Sequence, residues 1–172
     1  MNKRYSILIL LSVLFSVVIF TACKVNYGFS GAVPMPTVKT FSVSYFQNRA
    51  RLVNPNISQQ FTDGLQEKLV KQTSFNQISE NGDLEFSGQI TDYTVRPVNI
   101  QQGDVAAQNR LTIGVKVKFT NNKDHEQDWE KSFSAYEDFD SNNSLSDIEG
   151  DLCPLIVKKL AEDIFNASVA NW

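Results

Sequence analysis

Leu111-Thr112-Ile113-Gly114-Val115-Lys116-Val117-Lys118-Phe119 places an apolar residue at every second position, with Lys116 and Lys118 between them. Successive side chains of a strand point to opposite faces, so a period of two describes a strand with one buried and one wet face. The polar run Asn121-Asn122-Lys123-Asp124-His125 then reads as a turn, and a further strand passes through Trp129 and Phe133. Residues 111–136 are therefore expected to form a hairpin. Working upstream, Pro97 to Gln108 is polar and turn-rich. Before it, Leu84, Phe86, Gly88 and Ile90 alternate with Glu85, Ser87 and Gln89. The apolar phase then moves to Tyr93 and Val95, which predicts a bulge near Thr91-Asp92.

Two helical stripes flank this β centre. Ile57, Phe61, Leu65 and Leu69 recur every four residues, and Asn54-Pro55 is a start signal, so a helix is expected from about 54 to 72. Gly64 inside it costs up to ~1 kcal/mol relative to Ala, which marks a place of close packing. Ile148, Leu152, Ile156, Leu160 and Ile164 repeat the same spacing near the other end, and Ser146-x-x-Glu149 reads as a capping box. Pro154 falls inside that stripe and predicts a kink or a restart. A strand over about 37–46, a loop over 47–53, a short edge strand over 75–79 and a turn at Asn81-Gly82-Asp83 complete the order β-α-(β)-β-β-β-α. Two helices on one face of a mostly antiparallel sheet of four to five strands bury every stripe, giving an α+β two-layer sandwich.

The amino terminus is of another kind. Lys3 and Arg4 precede an almost wholly apolar run, Ser6 to Phe20, which closes on Thr21-Ala22-Cys23. Charge, apolar core and small residues make a secretory signal over 1–22, and the cysteine after it resembles a bacterial lipobox, with Phe20 where Leu is usual. The apolar run is shorter than the roughly 20 residues of a spanning helix. Cys23 is then a lipid-attachment site, 23–36 a tether rich in Gly and Pro, and 37–172 the folded domain.

Removing the signal leaves 150 of the 172 residues, enough for one domain with a real core. The precursor has 16 basic and 19 acidic residues; the signal takes two bases, so 14 stand against 19, a net charge of −5. That balance speaks against nucleic-acid binding, where basic surface supplies the affinity. With Cys23 committed to lipid, Cys153 has no disulfide partner, and its apolar neighbours describe a buried, inert thiol. One histidine, His125, and one free cysteine give no His/Cys zinc site, and no Gly-x-Ser-x-Gly elbow occurs. No catalytic residue, metal or cofactor is expected.

Asp138, Asp140, Asn142, Ser144, Ser146 and Glu149 fall at positions 1, 3, 5, 7, 9 and 12 of a calcium-loop spacing. Asn143 stands where the sharp turn wants Gly, and a strand rather than a helix precedes it, so an acidic loop before a capped helix is the simpler reading. Arg49, Arg51, Arg96 and Arg110 gather near loops and are candidates for lipid phosphate, which Arg grips with paired N–H donors. Solvated arginines, or ion pairs with Asp92 or Asp104, are the plain alternative. Phe46, Tyr93, Phe139 and Trp172 belong either to the core or to a partner surface.

Several segments resemble the LptE family of the Bacteroidetes type: Leu52-Val53-Asn54-Pro55; Gly82-Asp83-Leu84-x-Phe86-x-Gly88-x-Ile90-Thr91-Asp92-Tyr93-x-Val95-Arg96-Pro97-Val98; Asn109-Arg110-Leu111-Thr112-Ile113; and Asp163-Ile164-Phe165-Asn166-x-x-Val169-Ala170-Asn171-Trp172. The resemblance runs from about Tyr27 to Trp172. It implies an outer-membrane lipoprotein that plugs and supports an LptD-like β-barrel delivering lipopolysaccharide to the cell surface. Lys24-Val25-Asn26 lacks the acidic residues that would resemble a surface-export tag, so the non-enzymatic domain is expected on the periplasmic face. It also implies two helices against a sheet. An accessory lipoprotein that activates a cell-wall synthase, and a periplasmic lipid carrier with an internal cavity, are the competing expectations.

Overall fold

A computed structural model gives the structure of the protein and describes residues 35–52, 54–98 and 108–170. The chain divides into Met1–Ser30 and Gly31–Trp172, and all described residues lie in the second unit. The signal, Cys23, most of the tether and Trp172 lie outside the described residues. Among these residues no helix is long and apolar enough to cross a membrane.

The alternating stretch forms the centre of the sheet. β1 (Thr40–Val43), β2 (Gln47–Asn48), helix α1 (Ile57–Gln72), β3 (Asn76–Gln77), β4 (Leu84–Val98), β5 (Gln108–Asn121), β6 (Trp129–Asp140) and helix α2 (Leu145–Phe165) follow in order. A 3₁₀ turn at His125–Gln127 joins β5 to β6, and a π turn at Asn166–Ala170 ends α2. The sheet runs β3-β1-β4-β5-β6, with β2 beside β4. Leu111, Ile113, Val115, Val117 and Phe119 are all 0% exposed, on the face the helices cover.

Six described strands form this mixed sheet, where four or five mostly antiparallel ones were expected. The long ladders, β4 with β5 and β5 with β6, are antiparallel; β1 and β2 lie parallel to β4, and β3 parallel to β1. A parallel pair needs a crossover, and α1 supplies it between β1 and β4. The expected strand over 37–46 is shortened to β1 because its apolar phase changes, and the expected loop over 47–53 opens with the short strand β2. Phe41 and Val43 point inward, but Tyr45 is 55% exposed and Phe46 is fully buried. Between β1 and β2, Phe46 N–H donates to Thr62 Oγ1 of α1 at 3.2 Å.

The bulge lies where the phase change put it. Ile90 faces Val115 and Asp92 faces Gly114, leaving Thr91 as the extra residue. Gly88 has φ +155°, and a Cβ there would stand 2.0 Å from the Lys116 carbonyl oxygen, so only glycine fits. Pro97 sits inside β4, where β1 and β2 have already ended and, among the described residues, one side of β4 carries no partner strand.

Both helices begin differently from expectation. α1 starts at Ile57 with Asn56 as cap, because Asn54 Oδ1 accepts the Asn56 N–H at 2.8 Å and closes a turn before the helix. α2 starts after Ser144 without a side-chain cap bond, so no capping box forms at Ser146; Glu149 reaches inward instead. It runs through Pro154 as one continuous helix. The proline has no N–H to donate to the Gly150 carbonyl, so the helix goes on past it with that one bond missing. The two helices meet where Gly64 lies against Val157.

Candidate functional site

The four candidate arginines divide into a pair and two singles. Arg96 and Arg110 face each other across β4 and β5, on the sheet face away from the helices. Like charges opposed in this way repel. Arg110 escapes through Asp138 on β6: its Nε and Nη2 donate to the two carboxylate oxygens at 2.7 and 2.8 Å. Its guanidinium also lies 3.6 Å from the centre of the Tyr136 ring. The Asp138 carboxylate holds the Arg110 guanidinium above its usual value, and Arg110 in turn draws Asp138 down. This pairing occupies the paired donors that made Arg110 a phosphate candidate. Arg96 is exposed beside it.

Arg49 lies elsewhere. Its N–H donates to the Ile90 carbonyl at 2.8 Å, and its Nη2 to Gln47 Oε1 at 2.7 Å. Ile90 and Arg96 are six residues apart on β4, roughly 20 Å of strand. Arg51 is exposed in the following loop, and that loop leads to Asn54. The four arginines therefore do not converge on one point.

What does converge is a buried polar cluster. Tyr93, beyond the bulge on β4, donates its hydroxyl to Glu149 Oε2 of α2 at 2.8 Å. Asn54, from the turn before α1, donates through Nδ2 to Glu149 Oε2 at 3.2 Å and lies 3.4 Å from the Tyr93 oxygen. Cys153 Sγ closes the group, 3.6 Å from Tyr93 Oη and 3.8 Å from Asn54 Nδ2. Burial pushes both the Tyr93 phenol and the Cys153 thiol up, so both stay protonated near neutrality. A protonated, fully buried thiol is a poor nucleophile. Cys153 is thus the buried thiol its apolar neighbours described, with two polar contacts that no local pattern announces.

The calcium spacing comes apart in three dimensions. Asp138 and Asp140 belong to β6, Asp138 is held by Arg110, and Glu149 turns toward Tyr93. Among the described residues no three His, Cys, Asp or Glu side chains gather in a way that could hold a metal. His125 is exposed in its turn, with Nδ1 3.0 Å from Asp128. Phe46, Tyr93 and Phe139 are core residues, buried to 0%, 2% and 7% exposure.

A groove of about 610 Å³ runs along the outer side of the helix pair. Its floor is Gly64, Pro154, Val157 and Ala161, and its rims carry Lys68 paired with Glu162 and Lys71 paired with Glu67. Between helices and sheet, by contrast, Ile57, Phe61, Leu65, Ile156, Leu160 and Ile164 are 0% exposed. That layer is packed side chain on side chain.

The family model of LptE, described as lipopolysaccharide-assembly, matches residues 38–168, from the start of the sheet to the π turn. The chain belongs to the LptE family. No curated protein matches it by sequence. Among solved structures, a hypothetical protein from Chlamydia trachomatis shares the fold, with a TM-score of 0.52 at 10% identity over 74% of this chain and 94% of that one. Rare lipoprotein B from Shewanella oneidensis has a TM-score of 0.48 at 11% identity, over 75% of this chain and 92% of that one. A minor lipoprotein from Acinetobacter baumannii has 0.47 at 15%, over 74% and 89%. At such identities the likeness concerns the fold alone. Within the LptE family frame, the segment Leu52 to Pro55 gains a physical role, since its Asn54 ties the α1 turn to β4 and α2.

Proposed function

We propose that the protein is an outer-membrane lipoprotein, anchored through acylated Cys23 on the periplasmic face, that serves lipopolysaccharide assembly as a non-enzymatic partner of an LptD-like β-barrel. The observation that carries this reading is the LptE family match across residues 38–168. An acylated amino terminus with more than one chain suffices for stable anchoring. Arg96, Arg51 and Arg49, exposed at loops and strand ends, are the candidates to meet lipid phosphate, Arg49 with one N–H already donated to Gln47, whereas Arg110 is engaged by Asp138. The full burial of Ile57, Phe61, Leu65, Ile156, Leu160 and Ile164 between helices and sheet, among the described residues, supports this reading over that of a lipid carrier.

Two measurements test the proposal together. Depleting the protein should lower surface-exposed lipopolysaccharide and leave it in inner compartments. Affinity purification of the full chain from membranes should recover a large β-barrel. Recovery of a cell-wall synthase, with surface lipopolysaccharide unchanged on depletion, would overturn the reading.

A further inference from the structure

Among the described residues the last strand of the sheet, β6, has no neighbour on its outer side, and it is 12 residues long. Its free backbone groups can be identified. Asn122 N–H donates to the Asp83 carbonyl, which fixes the phase of the β4–β5 ladder: even-numbered residues of β5 bond to β4 and odd-numbered ones to β6. The constant β5–β6 register, with Val115 opposite Phe133, then turns the odd residues of β6 inward to β5. The N–H and C=O groups of Glu130, Ser132, Ser134, Tyr136 and Asp138 face off the sheet. In agreement, the Tyr136 carbonyl is met from outside by Lys159 Nζ of α2 at 3.0 Å. A long open edge of this kind is a template for another strand.

We propose that the edge is completed by the same strand of a second copy of this chain, antiparallel and two-fold symmetric about Ser134. Only self-pairings that set even residues opposite even ones satisfy the free groups, and among them this register matches opposite charges and apolar side chains on the helix-covered face. It sets Lys131 against Glu137 of the second copy, twice over, on the helix-covered face. Lys131 is exposed, with the Trp129 ring 5.1 Å away, and Glu137, its side chain 26% exposed, holds Lys159 at 2.9 Å. Phe133 falls opposite Ala135, and Trp129 opposite Phe139, an apolar or aromatic match at each place. Glu130 and Asp138 face each other on the far side, where Lys116 and Arg110 from β5 already neutralise them. Registers centred one residue away put Trp129 on Glu137 or Lys131 on Phe139, a charge against an aromatic ring on the helix-covered face in each case. On pairing, the Tyr136 carbonyl exchanges Lys159 for a backbone N–H, while Lys159 retains Glu137. Leu155 of α2, 50% exposed one turn before Lys159, would be covered by the second copy's helix.

The proposal goes beyond the barrel partnership and is tested without it. Ser134→Cys and Ser132→Cys are made separately in the full-length lipidated chain, and native membranes are oxidised. In the stated register the thiol introduced by Ser134→Cys faces its own counterpart at about 5.5 Å between Cα atoms, inside the roughly 4.4–6.8 Å range of a disulfide. Position 132 is displaced from its counterpart by roughly 13 Å. Buried Cys153 takes no part. The expected result is a disulfide-linked dimer for Ser134→Cys that exceeds that of Ser132→Cys by roughly tenfold or more. Adding Lys131→Glu should cut the Ser134→Cys dimer several-fold, while Lys71→Glu on α1, away from the β6 edge, should leave it unchanged. Circular dichroism confirms that each variant is folded. Equal cross-linking at 132 and 134, or none at either, would overturn the self-pairing and leave the edge to a different strand.

Discussion

Asp83 carries more of the sheet than its place in a turn suggests. It is the acceptor for Lys39 N–H at 2.7 Å, Thr40 N–H at 3.0 Å and Lys123 Nζ at 2.8 Å, while its own N–H donates to Thr40 Oγ1. One carboxylate thereby fastens the start of β1, the turn into β4 and the β5–β6 turn. The Lys123 ammonium first, and the Lys39 amide next, lower its pKa from 3.8 to about 2. Because the folded value lies below the unfolded one, the stabilisation is complete above the unfolded pKa and is lost as pH falls through about 2. Asp83→Asn should cost about 1.5–3 kcal/mol at neutral pH, the worth of hydrogen bonds to a charged group. In urea titrations at a series of pH values, wild type and variant should converge toward about pH 2. A constant gap down to that pH would show that the charge is not what Asp83 contributes.

At the scale of elements, the helix pair rests on one absent methyl group. A Cβ at Gly64 would lie 2.5 Å from Val157 Cγ1, and a β-branched side chain in a helix has essentially one χ1 rotamer to occupy. Gly64→Ala gains up to ~1 kcal/mol of helix propensity, but overpacking costs about 1–3 kcal/mol. The variant should be less stable by about 1 kcal/mol, and Gly64→Ala/Val157→Ala should recover much of that in thermal unfolding. A Gly64→Ala protein more stable than wild type would mean the helices can move apart freely. The sequence exposed Gly64 as a packing site because a lone glycine in an apolar stripe has few other reasons to be there. The β4 bulge was equally plain, since a one-residue change of phase has one simple structural meaning. The parallel placing of β1 was not readable, because periodicity reports which face is buried and says nothing of a strand's direction. The capping box failed for a related reason. Local spacing offered Glu149 to Ser146, but a buried Tyr93 hydroxyl 56 residues away was the better partner. The arginine group likewise split because Asp138, the cross-strand neighbour of Arg110, becomes visible only once the register is known.

Across the whole molecule, apolar packing joins each helix to the sheet, and one polar cluster joins all three parts. Asn54 comes from the turn before α1, Tyr93 from β4, and Glu149 and Cys153 from α2. Asn54 and Tyr93 are 7% and 2% exposed, so a lost partner there is not replaced freely by water. The cluster sits beside the bulge, at the end of the sheet where β1 and β2 no longer flank β4 and the described sheet is narrowest. Fewer strands there mean less apolar area to fix the two helix starts, and directional bonds take over that task. Tyr93→Phe should therefore lower stability by about 1–2 kcal/mol, and Asn54→Ala by a similar amount, with urea m-values unchanged. Since both residues act on the same Glu149 oxygen, the double variant should lose less than the two single losses combined, with a coupling of about 0.5 kcal/mol or more. Strict additivity would mean that the two residues hold their elements separately. Non-additivity would mean that the turn before α1, the bulged strand and α2 are held as a unit.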